Sequence, residues 1–203
     1  KEAVMVDLDG ELIELVKKYM PEFSDGAFED PRSKLIISEG REFVEKEESN
    51  KYDVVILDLT DPVKGTPAVY LYTVEFFREV KRILKEDGIA TMQTCLLWAS
   101  ETVYQRLYRS FMEVFPIVRL YHIFVPPFGE DWSFICSSLK YDPVNLSEEE
   151  ISRRLKERGI KLRFYGPKLH KRVFTIGEWL ERKLEEAMDM KPSTDEDPAC
   201  LSV

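Results

Sequence analysis

The sequence predicts an α/β architecture: a mostly parallel sheet with helices on both faces, closed at its end by an antiparallel pair. Two patterns carry this. Short apolar runs alternate with amphipathic stretches, as in strand–helix–strand units. Two late apolar runs are joined by the brief Pro126-Pro127-Phe128-Gly129-Glu130-Asp131 connection, which suits antiparallel neighbours.

The elements follow in order. Ala3-Val4-Met5-Val6 reads as a buried strand ending at Asp7. Asp9 is placed to cap a helix with Leu12, Val16 and Tyr19 on one side and Ile13 and Met20 adjacent. Residues 21–33, rich in Pro, Asp and Gly, read as loop. Residues 34–38 form a second strand, followed by Gly40 and a short helix through Phe43 and Val44. Residues 53–57 are a third strand closed by Asp58, and 59–69, with Pro62, Gly65 and Pro67, are loop. A helix is expected over 71–84, a turn at Asp87-Gly88, and a fourth strand over 89–94. The 100–115 stretch places Val103, Leu107, Phe111 and Val114 on one helical stripe. Strands at 117–125 and 132–139 follow. Ser147-Glu148-Glu149-Glu150 is a capping box for a helix to Arg158, and Thr175–Glu178 reads as another, opening a helix to Met188. Residues 1–188 are expected to form the domain and 189–203 a flexible tail.

Composition narrows the function. At 203 residues, 44% hydrophobic and 33% charged, the chain has the makings of a folded core rather than of disorder. A net charge of −9 argues against non-specific nucleic-acid binding and suits cationic ligands. Cys95, Cys136 and Cys200 make no CxxC pair, so neither a disulfide framework nor a metal site is expected. With no apolar run of membrane-spanning length and no secretory signal at the start, a cytoplasmic protein without a membrane partner is expected. Asn is confined to Asn50 and Asn145 and Gln to Gln93 and Gln105; with dense Lys and Glu, this suggests a thermophile. The chain begins with Lys1 and enters a strand at once, as if entered midway.

In sheets of this kind ligands sit beyond the carboxyl ends of the strands. Those ends carry Asp7, Glu39, Asp58 and Gln93. Each acid alone is readable as a cap. Asp7 is suited to paired ribose hydroxyls, and Glu39, beside Gly40, to an adenine amino group or a helix cap. Asp58-Leu59-Thr60-Asp61-Pro62 is the most informative run. Pro62 restricts Asp61 to extended backbone, so both carboxylates can face one pocket, where they repel unless a cation lies between them. His122 and His170 have no ligand-like spacing, so an amine is the better candidate than a metal. His122 reads as a satisfied core residue, His170 as structural, and Cys95 as a small buried hydrophobe near the site.

From this run outward the chain resembles the polyamine aminopropyltransferases, the spermidine/spermine/thermospermine synthase family. The likeness extends from about residue 3 to 188. Val6-Asp7-Leu8-Asp9, Asp30-Pro31-Arg32, Glu39-Gly40, the Asp58–Pro62 run, Gly65-Thr66-Pro67-Ala68, Leu71-Tyr72-Thr73 and Gln93 follow the family's order. Val125-Pro126-Pro127-Phe128 with Asp131-Trp132 is most similar to the thermospermine-type branch. The family's glycine-rich loop, first strand and small N-terminal β domain have no counterpart in this chain. The resemblance implies a Rossmann-like class I methyltransferase fold with a gap between the strands of Asp7 and Asp58. Glu39 stands where Asp is usual, and Phe128 where a Tyr is frequent.

The resemblance further implies aminopropyl transfer from decarboxylated S-adenosylmethionine, a co-substrate rather than a prosthetic group, to a polyamine. The product is spermidine or a longer polyamine, with methylthioadenosine released. It implies Asp58 as proton acceptor, Asp61 and Asp131 as amine holders, and Trp132 and Tyr72 as apolar walls or core residues. Gln93 bonds an amine or merely ends its strand. Asp7, Glu39 and Gly40 go to the nucleoside, with Leu59, Pro67 and Ala68 packed near it. A homodimer or homotetramer is expected. The alternatives are an S-adenosylmethionine-dependent N-methyltransferase of a small amine and a non-catalytic remnant.

Overall fold

The computed structural model describes residues 1–201 and divides into two compact units, Lys1–Glu47 and the chain from Glu48 on. In the first unit, β1 (Ala3–Asp7) pairs in parallel with β2 (Ser33–Ile37), from Ala3↔Ser33 to Asp7↔Ile37. Between them run α1 (Gly10–Tyr19) and a single turn, α2 (Pro21–Ser24). Then α3 (Gly40–Lys46) follows β2. Asp9 caps α1 as expected, its carboxylate accepting from the Leu12 N–H. The helix buries Ile13, whereas Leu12 and Tyr19 are exposed, and Met5 on the strand expected to be buried is exposed too. A ribbon two strands wide offers too little surface to cover that many apolar side chains.

In the second unit the strand order is β3-β4-β6-β5, with β3 (Tyr52–Leu57) parallel to β4 (Leu84–Leu96) and the remaining pairs antiparallel. The strands that end in Asp7 and Asp58 belong to separate sheets. As an edge strand, β3 exposes Val54 and Ile56. The expected Asp87-Gly88 turn is absorbed into β4, where the register jumps from Tyr52↔Leu84 to Val54↔Ile89. A β-carbon on Gly88 would lie 2.9 Å from Leu84 and from the Lys85 carbonyl oxygen, so only glycine fits this bulge. The late strands, β5 (Ile117–Val125) and β6 (Glu130–Ser138), form the expected hairpin, its connection closed by Gly129 in the left-handed region at φ 68°.

The helix expected from Leu71 divides. Residues Pro67–Leu71 form a 3₁₀ turn, and α4 (Val74–Ile83) starts after Thr73. It packs with α5 (Glu101–Val114) through stacked Phe77 and Phe111 rings, centroids 4.1 Å apart. The predicted α5 stripe of Val103, Leu107, Phe111 and Val114 is buried. Ser147 caps α6 (Glu148–Glu157), its hydroxyl accepting from the Glu150 N–H. Thr175 does not open a helix. It ends α7 (Pro167–Phe174), its hydroxyl donating back to the Lys171 carbonyl, and α8 (Glu178–Ala187) starts from Gly177. Gly166-Pro167 is the start signal of α7 that the periodicity reading passed over.

The described residues beyond 188 are packed rather than frayed. Ser193 and Ala199 are buried. The Ser110 hydroxyl accepts from the Ser193 N–H at 2.7 Å, and Arg106 donates to the carbonyls of Lys191, Pro192 and Asp197. Polarity suggested a free tail, but here the backbone is bonded by side chains of α5, which composition does not reveal.

Ser110→Ala leaves the buried Ser193 N–H without its acceptor. It is expected to lower unfolding stability by about 1–3 kcal/mol and to speed cleavage within residues 189–201, measured by urea titration and limited proteinase K digestion; unchanged digestion contradicts this docking. At Asp142, partial burial pushes the pKa up, but bonds from Arg119 and the Val144 N–H hold it below its ordinary value. The associated stability is therefore present above the ordinary carboxylate range and lost as pH falls through it. Asp142→Asn should cost about 1 kcal/mol at pH 7, allowing for solvent around Arg119, and progressively less as pH falls below the ordinary value of 3.8.

Candidate active site

The candidate site in the second unit is built at the exits of β3 and β4. Asp58, just past β3, is exposed, and Leu59, Thr60 and Asp61 continue as loop. Gln93, at the end of the regular β4 ladder, is buried and joins these residues. Its amide nitrogen donates to the Leu59 carbonyl at 2.8 Å, to the Tyr72 hydroxyl at 2.8 Å and to Asp61 Oδ1 at 3.2 Å. Its oxygen accepts from the Cys95 N–H and from the Trp132 indole N–H, both at 2.9 Å. The amide orientation follows from the partners: indole and backbone N–H groups only donate, so they face oxygen. Tyr72 donates to the Thr60 carbonyl at 2.9 Å and so presents a lone pair to Gln93.

Cys95 lies where the β4–β6 register breaks, between Gln93 and Leu96. Its φ of 73° is in the left-handed region, uncommon for a residue with a side chain. Its thiol donates to Asp61 Oδ1 at 3.5 Å. Burial pushes the Cys95 thiol up, and the Asp61 charge adds to it. The Tyr72 hydroxyl is likewise pushed far up by burial, then by the neighbouring Cys95 and Asp61. Both stay neutral, so the cluster opposes the negative charge of Asp61 with dipoles alone.

The structure brings Asp61, Gln93, Tyr72 and Trp132 together. Tyr72 is fully buried and serves the core alternative, its hydroxyl holding the Asp58–Asp61 loop. Trp132 is half-buried and packs on exposed Phe128, ring centroids 4.6 Å apart. Asp131 is not part of this cluster. Successive strand side chains point to opposite faces, and Asp131 lies 3.5 Å from His122 Nδ1. That Nδ1 is buried without a hydrogen bond among the described residues, so His122 is not the satisfied core residue expected. His170 is held structurally between the Tyr165 hydroxyl and the Pro143 carbonyl. Pro67 is exposed, and Ala68 and Leu59 are half-buried.

In the first unit, both predicted nucleoside acids already serve their own backbone. Asp7 Oδ1 accepts from the Asp9 N–H, and Glu39 Oε2 caps α3 through the Glu42 N–H, both at 2.8 Å. Gly40 opens that helix. These bonds fix the two carboxylates while leaving each a second oxygen. The sequence reading missed the cross-linking by Gln93, the left-handed Cys95 and the Phe128–Trp132 contact. Only the pairing of β4 with β6 discloses them.

Parallel strands that end in acids, with Asp61 held by uncharged donors at one exit, are the arrangement of a nucleotide-binding α/β protein. Comparison with known proteins makes this specific. The family model described as spermine/spermidine synthase domain matches residues 1–148, and the chain belongs to that family. A polyamine aminopropyltransferase of Pyrobaculum aerophilum is 45% identical over 84% of this chain and 59% of its own length. One from Sulfurisphaera tokodaii is 41% identical over 99% of this chain and 66% of its own. The spermidine synthase of Thermotoga maritima superposes with a TM-score of 0.78 at 30% identity, covering 91% of this chain and 60% of the other. A spermidine synthase in complex with the transition-state analogue AdoDATO gives 0.81 at 31% identity, covering 91% of this chain and 61% of that one. The chain thus spans about three-fifths of the length of these proteins.

Tyr72→Phe removes the donor to Thr60 and the acceptor for Gln93, and is expected to cost about 1–3 kcal/mol at pH 7. Because the folded pKa values of Tyr72 and Cys95 are raised, their stabilisation is complete below the ordinary values of 10.0 and 9.0 and is lost as pH rises beyond them. The variant lacks only the Tyr72 contribution and should therefore lose stability less steeply than the parent above about pH 10, read from denaturant midpoints. Equal slopes would contradict the buried hydroxyl.

Proposed function

We propose that the protein transfers an aminopropyl group from decarboxylated S-adenosylmethionine to a polyamine amine. The carrying observation is the pair Asp58 and Asp61 at the β3 exit, with Asp61 bonded through Gln93, in a chain of the spermine/spermidine synthase family. The amine nitrogen attacks the carbon beside the sulfonium. The C–N bond forms as the C–S bond breaks, and the electron pair of that bond stays on sulfur, giving methylthioadenosine. The sulfonium is a ready leaving group, so the protein's task is positioning and proton removal.

A free amine titrates near ~10.4 and arrives protonated. Asp61 holds a nitrogen that stays charged, while exposed Asp58 accepts a proton from the reacting ammonium, freeing the lone pair that forms the C–N bond. Asp7 and Glu39 are assigned to ribose and adenine through the oxygens their caps leave over. Trp132 is assigned to a methylene segment. Asp131, being paired with His122, is assigned at most to a distant amine. Methyl transfer from ordinary S-adenosylmethionine is the second reading; acids at an amine site disfavour a donor that carries a carboxylate.

Among the described residues no helix is long and apolar enough to cross a membrane. We infer a cytoplasmic enzyme from a heat-loving source, assembled as a homodimer or homotetramer, with no prosthetic group, metal or nucleic-acid partner.

The test is methylthioadenosine release by the natural-length protein with both donors and with putrescine, cadaverine, agmatine and spermidine. Release requiring the decarboxylated donor is expected. Asp58→Asn should lower kcat by about 100-fold or more, the scale of general-base catalysis. Asp61→Asn should chiefly raise the acceptor KM. Methyl transfer from the ordinary donor, or no turnover by folded protein, would overturn the proposal.

A further inference from the structure

Gln93 has no donor or acceptor left for a substrate. Two amide hydrogens already serve three acceptors, two at 2.8 Å and Asp61 at the longer 3.2 Å. Its oxygen takes two donors at 2.9 Å. The side chain is 7% exposed, and its partners come from three separate parts of the chain: the Leu59–Tyr72 region, the end of β4, and β6. The left-handed turn at Cys95 brings its N–H back onto the Gln93 oxygen, two residues upstream, and so fixes the amide from its own strand. At one end of the amide lies a carboxylate. At the other lies an indole whose outer neighbour is exposed Phe128.

We propose that Gln93 is a positioning residue, not an amine ligand, which holds Asp61 and the Trp132–Phe128 pair at a fixed separation and thereby sets which polyamine is accepted. This rests on the aminopropyltransferase reading. A polyamine is a row of charged nitrogens separated by apolar methylene segments. A carboxylate and an aromatic face tied to one rigid amide form a gauge for such a row: the acid takes a nitrogen and the ring takes the methylenes beside it. Loosening the tie blurs the gauge without touching the carbon–sulfur chemistry. A substrate-binding Gln93 predicts something else, loss of amine affinity with Trp132 undisturbed.

The experiment uses the natural-length protein with Gln93→Met, Gln93→Glu, Trp132→Phe and the Gln93→Met/Trp132→Phe pair. Glu keeps an oxygen for the indole but has no hydrogens for Leu59, Tyr72 and Asp61; Met has neither. The first readout needs no activity. The emission of Trp132, isolated by subtracting the Trp132→Phe spectrum, should shift in Gln93→Met and stay near wild type in Gln93→Glu. The second is kinetic. Gln93→Met should raise the acceptor KM about 10-fold, the size of one lost buried hydrogen bond, with donor KM unchanged and a fall in kcat smaller than that of Asp58→Asn. The ratio of kcat/KM between spermidine and putrescine should move towards one. Trp132→Phe should do likewise, and the pair should be less than additive.

An unshifted Trp132 emission in folded Gln93→Met, or strictly additive effects in the pair, would overturn the proposal. If wild type transfers nothing from the decarboxylated donor, the enzymatic reading fails. The emission, with calorimetric binding of the two polyamines to the same variants, still decides the positioning role: unchanged relative affinities overturn it.

Discussion

One buried carboxamide ties together segments that the chain keeps far apart. The Gln93 side chain reaches the Leu59 carbonyl, Asp61, Tyr72 and Trp132, which lie 21 to 39 residues away. A buried amide left without partners is costly. The loop after β3 and the start of β6 are therefore constrained by the same requirement. The Asp58–Asp61 loop, which has no regular structure of its own, is given a defined shape by bonds to its backbone at Leu59 and Thr60. Positioning of the acids thus depends on core packing as much as on the acids themselves.

The electrostatics point the same way. Asp61 receives bonds from an amide and a thiol, both uncharged, and none from Arg or Lys among the described residues. Neutral donors stabilise the carboxylate without cancelling its charge, so attraction for an incoming cation survives. Tyr72 and Cys95 stay protonated because burial disfavours their ionised forms and Asp61 lies close by. Neither group therefore adds a negative charge beside Asp61 below its ordinary range. An uncancelled carboxylate charge is what an amine-binding position requires, and a salt bridge to Arg would have removed it.

Much of this was legible in the residues. The α/β alternation, the late hairpin, the stripe of α5 and the Ser147 cap follow from periodicity and local chemistry, and each is observed. The Asp58–Pro62 run and Gln93 were legible as candidates from their place at strand ends, and the structure bonds Gln93 to Asp61. What could not be read depends on contacts across the sheet. Gln93 was ambiguous between ligand and strand terminus because its partners lie on other elements. Asp131 was taken with Trp132 from the family resemblance, which does not disclose that neighbours on a strand point opposite ways. Thr175 resembled a helix start because the motif is local, whereas its hydroxyl is drawn back to Lys171. The tail after 188 is polar, and its docking rests on Arg106 and Ser110, more than 80 residues earlier.

The most direct test is a crystal structure of the natural-length protein with methylthioadenosine and a polyamine. The account predicts a polyamine nitrogen within hydrogen-bond distance of the Asp61 oxygen that Gln93 and Cys95 leave over. It also predicts the reacting nitrogen beside Asp58, methylenes against Trp132, and the Gln93 amide bonded as it is here. A polyamine seated instead at Asp131 and His122, or a Gln93 amide turned to bind the amine, would contradict it.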